Sequence, residues 1–447
     1  MTPRGIRVRL GDLIRVKHGF AFKGEHFVDK PSQFVLVTPG NFAIGGGFQC
    51  TKLKFYSGPV PDEYVLKPGD LVVTMTDLSR GADTLGLGAV VPKDEGRVYL
   101  HNQRIGLVEV LHPEKLAKSW LHYLLRTSDY RAWVVGSASG STVKHTSPSR
   151  ICDFEFDLPP LRVQEEAATT LDALEARIDL LRQTNATLES IAQAIFKSWF
   201  IDFDPVRAKA EGRAPEGMDA ATAALFPAEF EESTLGLIPK GWAVRSLDSF
   251  ATYLNGLALQ KFPPESDEEF LPVIKIAQLR AGNTKGADKA SARLRPEYVV
   301  HDGDVLFSWS GSLEVELWCG DDGALNQHLF KVTSSEVPKW FYYLATKHFL
   351  PNFREIAAHK ATTMGHIQRG HLREARIAMP SAELLNALSS LMSPLVERRV
   401  TGALHARELA AVRDALLPRL ISGALRLPDA LGQAEVNRPG NRGGWLV

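Results

Sequence analysis

VLKPGDLVVTMTD at residues 65–77 returns as VVHDGDVLFSWSG at residues 299–311. Outward from this pair, Asn102-Gln103 in HNQRIGLVEV returns as Asn326-Gln327 in LNQHLFKV, and STVKHTSPSRICDFEFDLPP (141–160) returns as TTMGHIQRGHLREARIAMP (362–380). The offsets are 234 at Gly69/Gly303, 224 at Asn102/Asn326 and 221 at His145/His366. Order is kept while spacing drifts by loop-sized amounts, which marks a duplicated domain rather than a short solenoid repeat. An apolar, heptad-like stretch follows each copy. Two similar modules joined by long helices suit a protein that holds two recognition surfaces a set distance apart.

At 447 residues the chain exceeds one ordinary core. Its 44% hydrophobic and 23% charged content describes a globular protein. No apolar run reaches a membrane span and MTPRGIRVRLGD has no apolar signal core, so a cytoplasmic location without a membrane partner is expected. Cys50, Cys152 and Cys319 are scattered without metal-ligand spacing, which fits buried thiols in a reducing compartment. Formal net charge is zero; residues 1–157 carry 20 Lys/Arg against 16 Asp/Glu, and residues 241–379 carry 16 of each. A dedicated non-specific nucleic-acid binder would be far more basic, so any DNA reader here works through local surfaces and borrows affinity from partners.

The sequence predicts an α+β chain: two duplicated mixed α/β modules separated by two long helices that form an antiparallel coiled coil. The expected divisions are a first module at 1–158, a helical spacer at 159–203, a linker at 204–240, a second module at 241–379, a second spacer at 380–426 and a flexible tail at 427–447. Short β-rich runs (34–37, 70–74, 106–110) lie between Gly, Pro and Asn clusters. Helices are expected over 116–127 and, in the second copy, near 340–349. From Arg162 to Ile201, Leu171, Leu174, Ile178, Leu181, Asn185, Leu188, Ala192 and Ile195 fall at steps of three and four, an a/d seam with a polar Asn185 that fixes register. That helix would be about 60 Å long. The second spacer, 381–425, has a poorer seam through Leu384, Leu388, Leu391, Leu395, Arg398, Gly402, Leu409, Val412 and Leu416, and Pro394 and Pro418 are expected to kink it. A short helix is expected at 219–225.

LPPLRVQEE (158–166), IFKSWFIDFDPVRAKAEG (195–212), LGLIPKGW (235–242) and LGDLIRVKHGFAFKG (10–24) occur in this order. Together with the duplication they resemble the specificity subunit of a type I restriction-modification system, over nearly the whole chain. The resemblance implies two target-recognition domains that each read one half of a bipartite, gapped double-stranded DNA target. It also implies helical spacers that dock two methyltransferase subunits, joined in full complexes by restriction/translocase subunits. The subunit would be no enzyme and carry no cofactor; S-adenosylmethionine, ATP and Mg would belong to the partners. The chain departs from the family pattern where SAELLNALSS replaces the Gln-Glu entry of Gln164-Glu165.

DNA readers need bidentate side chains for base edges and basic, hydroxyl or amide groups for phosphates. The loop 137–149 offers Ser141, Thr142, Lys144 and His145, and its counterpart 358–371 offers Lys360, Thr362, Thr363, His366 and Gln368. A surface loop capping the helix entry would have the same composition. Gln103 and Arg104, with Gln327 and His328, are the next candidates, although retention of Asn-Gln in both halves also fits a structural pair. Arg80, Ser308 and Ser310 follow the repeated strand, where Gly-rich flanks suit either DNA approach or a tight turn. Phe196, Trp199, Phe200 and Phe203 exceed what a two-helix seam can bury and are expected to form a partner-binding surface, the alternative being packing against the second module. No HExxH, GxSxG or dinucleotide loop is present, and the scattered carboxylates read as solvated surface rather than a nuclease centre. A duplicated protein-binding scaffold without DNA selectivity is the rival reading.

Overall fold

The computed structural model describes residues 6–79, 81–359 and 365–425. They form two units. The first takes the described residues up to Ala176 together with those from Ala410 onward, and the second runs from Arg177 to Leu409. The tail expected at 427–447 lies outside the described residues.

In the first unit an antiparallel sheet runs in the order Ile14–His18, Ile105–Val110, Leu71–Thr74, Gly88–Val90. Thr252–Asn255, Leu329–Thr333, Val305–Ser308 and Val315–Leu317 repeat that order in the second unit. The strand quoted first is central in both, and its apolar run is continuous because both of its faces are covered. Leu71 and Val73 enter one hydrophobic cluster while Val72 enters another. Val305 and Phe307 divide from Leu306 in the same way.

A second sheet in each unit contains one parallel pair, Phe34–Val37 with Val98–His101 and Leu271–Ile274 with Gly323–Leu325. Where the second unit adds Val299–Val300 to this sheet, the first has only a bridge from Val65 to Leu100. In each unit a two-stranded ladder joins the two ends of the repeated module, Ile6–Arg9 on Glu155–Leu158 and Ala243–Ser246 on Arg376–Met379. The duplication is therefore one of topology as well as sequence.

The expected module helices appear as Lys118–Leu124 and Lys339–His348, with Trp120, Tyr123, Trp340 and Tyr343 fully buried. The long helices are Leu161–Phe200 and Ala382–Ile421. All eight expected seam positions of the first are buried or half-buried. In the first unit Leu171 joins Leu417 and Leu420 in one cluster and Glu175 meets Arg413 at 3.4 Å. In the second unit Glu189 meets Arg399 at 2.8 Å. Advancing along one helix matches retreating along the other, so the coil is antiparallel.

The second long helix corrects the sequence reading. It is unbroken, and both Pro394 and Pro418 lie on its exposed side. The carbonyls four residues back, on exposed Ser390 and Asp414, lose their amide donors but face water, so the missing hydrogen bonds cost little. Its seam is shifted as well. Leu391 and Val412 are 45% and 47% exposed, Arg398 is exposed, and Leu385, Met392, Val396, Ala406, Leu417 and Leu420 are buried instead.

Residues 204–240, expected as a linker, contain helices Asp204–Ala210 and Ala220–Ala224 and a hairpin of Phe230–Ser233 on Gly236–Pro239. Their Val206, Phe226 and Ile238 enter the second unit's core. This explains a further correction. Phe196, Trp199, Phe200 and Phe203, expected to stay exposed for a partner, are all buried. Trp199 meets Phe226 at 5.7 Å, Phe203 meets Trp242 edge-on at 5.8 Å, and Phe200 packs against Phe341 at 5.5 Å between centroids. The segment that follows the helix folds back over its aromatic end. No helix among the described residues is long and apolar enough to cross a membrane.

Candidate nucleic-acid interface

The main sheet of each unit positions three segments at one end. In the first unit Gly19 crosses so close to the strand before the turn that a Cβ there would lie 2.2 Å from the Asn102 carbonyl oxygen. Gly256 stands 2.3 Å from the Asn326 carbonyl by the same measure. Because the obstacle is backbone, no side chain is tolerated at either place. The crossing lets the Gln103 amide donate to the Phe20 carbonyl and the Gln327 amide to the Leu257 carbonyl, both at 2.9 Å.

The asparagines then close the turns. Asn102 Oδ1 accepts from the Arg104 amide at 3.1 Å, and Asn326 Oδ1 accepts from the His328 amide at 3.2 Å. This is the Asx geometry that lets a short carboxamide replace a backbone acceptor. It accounts for the retained asparagine, while the residues that follow, Gln103 and Arg104, are exposed and Gln327 and His328 half-buried. His101, just before the turn, is buried; desolvation holds its imidazole below the ordinary value, and the neutral ring donates to the Ile105 carbonyl at 2.8 Å.

Beside the turn runs the continuation of the central strand. The Met75 amide donates to the Arg104 carbonyl at 2.9 Å, and Thr146 donates to the Met75 carbonyl at 3.0 Å. Thr76–Asp77 pairs with Lys144–His145, and Thr76 Oγ1 lies 3.2 Å from His145 Nδ1. The second unit repeats this with a bridge from Ser310 to His366 and a 2.9 Å bond from the Ile367 amide to the Trp309 carbonyl. The turn, the strand end and the histidine loop therefore converge in both units.

The surroundings differ in detail. Asp77 accepts from the amides of Ser79 at 2.6 Å and Thr84 at 2.5 Å and from the Thr84 hydroxyl at 2.7 Å. Burial works against its charge, but these donors prevail and hold its carboxyl below the usual range. Asp77 is thus consumed in holding Ser79 and Thr84; Arg80, also a candidate, lies outside the described residues. Ser141, Thr142 and His145 are exposed and Lys144 half-buried.

In the second unit Ser310 is 5% exposed, and its hydroxyl lies 3.0 Å from His328 Nδ1. Trp309 lies near both His328 and His366, with centroids 5.9 and 6.4 Å away, and its indole donates to Asn255 Oδ1 at 2.9 Å. Gln368 is exposed and starts the helix Arg369–Glu374. Ser308 is fully buried and turns its hydroxyl to the Ser312 carbonyl at 2.7 Å, a structural role. Lys360, Thr362 and Thr363 lie outside the described residues.

Sequence reasoning missed Gly19, Gly256 and Thr76. The two glycines had a signal in the parallel runs Gly19-Phe20-Ala21-Phe22 and Gly256-Leu257-Ala258-Leu259. Chemically, the first end offers amide, imidazole, hydroxyl and basic groups, and the described part of the second offers amide and imidazole groups, all suited to base edges and phosphates. Among the described residues no three His, Cys, Asp or Glu side chains are grouped as a metal would need.

Comparison with known proteins bears on the family of the chain. The family model described as the type I restriction modification DNA specificity domain matches residues 7–190 and 239–395. The HindI specificity subunit of Haemophilus influenzae is 24% identical over 348 residues, covering 67% of this chain and 75% of that one. The MjaIX specificity subunit of Methanocaldococcus jannaschii is 23% identical over 334 residues, covering 72% and 73%. The crystal structure of a type I S subunit from M. genitalium aligns over 94% of this chain and 97% of that one, at 13% identity and a TM-score of 0.49. The two family matches fall on the two copies of the duplicated module and run into the long helix after each, and on that basis the chain belongs to the type I restriction-modification specificity subunits, the non-catalytic subunits that give such systems their DNA sequence specificity.

Proposed function

We propose that each unit reads one half of a bipartite, gapped DNA target through its turn, strand end and histidine loop. The observation that carries this is the twin construction: two different sets of side chains stand on one repeated backbone frame, as reading two different half-sequences requires. The long helices act as the spacer, and their exposed faces dock two methyltransferase subunits, with restriction/translocase subunits joining in the full complex. S-adenosylmethionine, ATP and Mg are held by those partners, in the cytoplasm. The individual contacts are assigned to Gln103, Arg104, Ser141, Thr142, Lys144 and His145 in one unit and Gln327, His328, His366 and Gln368 in the other.

The test is long-read methylation mapping of DNA from a methylation-free host that expresses this chain with a cognate methyltransferase. A single bipartite methylated motif is expected, with one half altered by substitutions in each unit. An assembled complex that leaves no methylated motif favours a protein-binding scaffold instead.

A further inference from the structure

We infer that Arg104 is a specificity-determining residue that reads a guanine in the half-sequence of the first unit; this rests on the DNA-reading role proposed above. Arg104 and His328 occupy the same place on the same frame. In both, the preceding amide is tied to the crossing strand at 2.9 Å, the residue's own amide is tied to an asparagine carboxamide, and a glycine without room for a Cβ holds the crossing. The Arg104 carbonyl is also fixed by the Met75 amide. A backbone held from three sides gives a long side chain a defined origin, which reading a base edge demands and neutralising a phosphate does not.

The side chains on this frame have opposite fates. His328 is half-buried, with Nδ1 3.0 Å from the Ser310 hydroxyl and Nε2 3.3 Å from the Gln327 side-chain Nε2. Arg104 is exposed, and its guanidinium makes no hydrogen bond or ion pair among the described residues. A free planar fork of donors on a rigid base matches the O6 and N7 acceptors of guanine in the major groove. Exposed Gln103 beside it presents an amide to a neighbouring position, and Lys144, two strands across, supplies charge for the backbone.

The experiment compares the assembled complex of wild-type chain and methyltransferase with the same complex carrying Arg104→Ala, each selecting from a randomised DNA library. The variant is expected to lose roughly ten- to hundred-fold of its preference for guanine at one position of one half-sequence. The other half-sequence, the gap and the salt dependence of binding to random DNA are expected to stay the same. A uniform weakening on all sequences with a shallower salt dependence would assign Arg104 to a phosphate and overturn the inference. An unchanged motif would also overturn it. A wild-type complex that selects no motif at all would instead bring down the DNA-reading role, and the inference with it.

Discussion

The two units anchor equivalent module helices to the long helices with different chemistry. In the first, Tyr123 donates to Asp172 at 2.6 Å, and Glu175 is shared by Arg126 at 2.5 Å and Arg413 at 3.4 Å. In the second, Tyr343 donates to Glu189 at 2.8 Å, and Glu189 and Glu316 are both shared by Lys347 and Arg399. Each is a tyrosine among two acids and two bases, yet only the tyrosine occupies corresponding places in the modules. The helix starts differ too. Ala117 needs an acceptor for its amide and finds it in buried Gln164 at 2.9 Å, whereas the second helix begins at Pro338, which has no amide, and buried Leu385 stands where the glutamine would be. What duplication preserves is therefore the balance of donors, acceptors and charge, not the residues that supply them.

The largest effect should separate the two acids. The Glu189 side chain is 13% exposed and Glu175 is 27% exposed. Glu189→Ala strands two buried cations on Glu316 alone and should cost on the order of 3–5 kcal/mol in urea unfolding. Glu175→Ala should cost about 2 kcal/mol or less. Equal losses would show that the two clusters are energetically alike.

Acid should distinguish the units next. Burial, with the Arg126 charge second, pushes His122 down to about 4, while its counterpart Tyr342 is pushed up to about 12 by burial and stays neutral throughout. Unfolded, His122 binds its proton near 6.5, so below that the unfolded chain takes up more protons. Its contribution, about 3 kcal/mol, is complete above pH 6.5 and is lost as pH falls towards 4. Amide hydrogen exchange between pH 7 and 4.5 should show the first unit loosening before the second. Simultaneous loosening would refute this.

The glutamine swap is a smaller and sharper test. Gln164→Leu leaves the Ala117 amide and the Lys115 and Pro159 carbonyls without their partner, at about 2 kcal/mol. Adding Ala117→Pro, at a residue whose φ is already −76°, should recover part of that loss by removing the stranded donor. Strictly additive losses in the double mutant would contradict the account.

The smallest effect concerns the seam within the second unit. A Cβ on Gly402 would stand 2.4 Å from Asn185 Oδ1, a buried oxygen with no hydrogen-bond partner among the described residues. Gly402→Ala should cost about 1 kcal/mol in the wild type and much less in an Asn185→Ala background, read as a shift in melting temperature.

The sequence made the first long helix legible because its buried face is carried by apolar residues at steps of three and four. The second is harder because its inward positions include Arg399, Gly402 and Arg413, which carry no apolar signal, while Leu391 and Val412 point to solvent. The aromatic group at 196–203 is legible as more than a two-helix seam can bury, and of its two readings the packing one holds, with cover from Phe226, Trp242 and Phe341 farther along the chain. The repeated turn and histidine loops were visible in composition and order. Their convergence was not, because it depends on Gly19 and Gly256 meeting backbone some 80 and 70 residues away.

The division of the chain also bears on its biogenesis. The second unit is one uninterrupted stretch, Arg177–Leu409, whereas the first is completed by residues from Ala410 onward. On the ribosome, every residue of the second unit emerges before the last segment of the first. Until then Ala167, Ala168 and Leu171 lack the covering Leu417, Leu420 and Ile421, and the part of the chain synthesised earliest is the last to close its core.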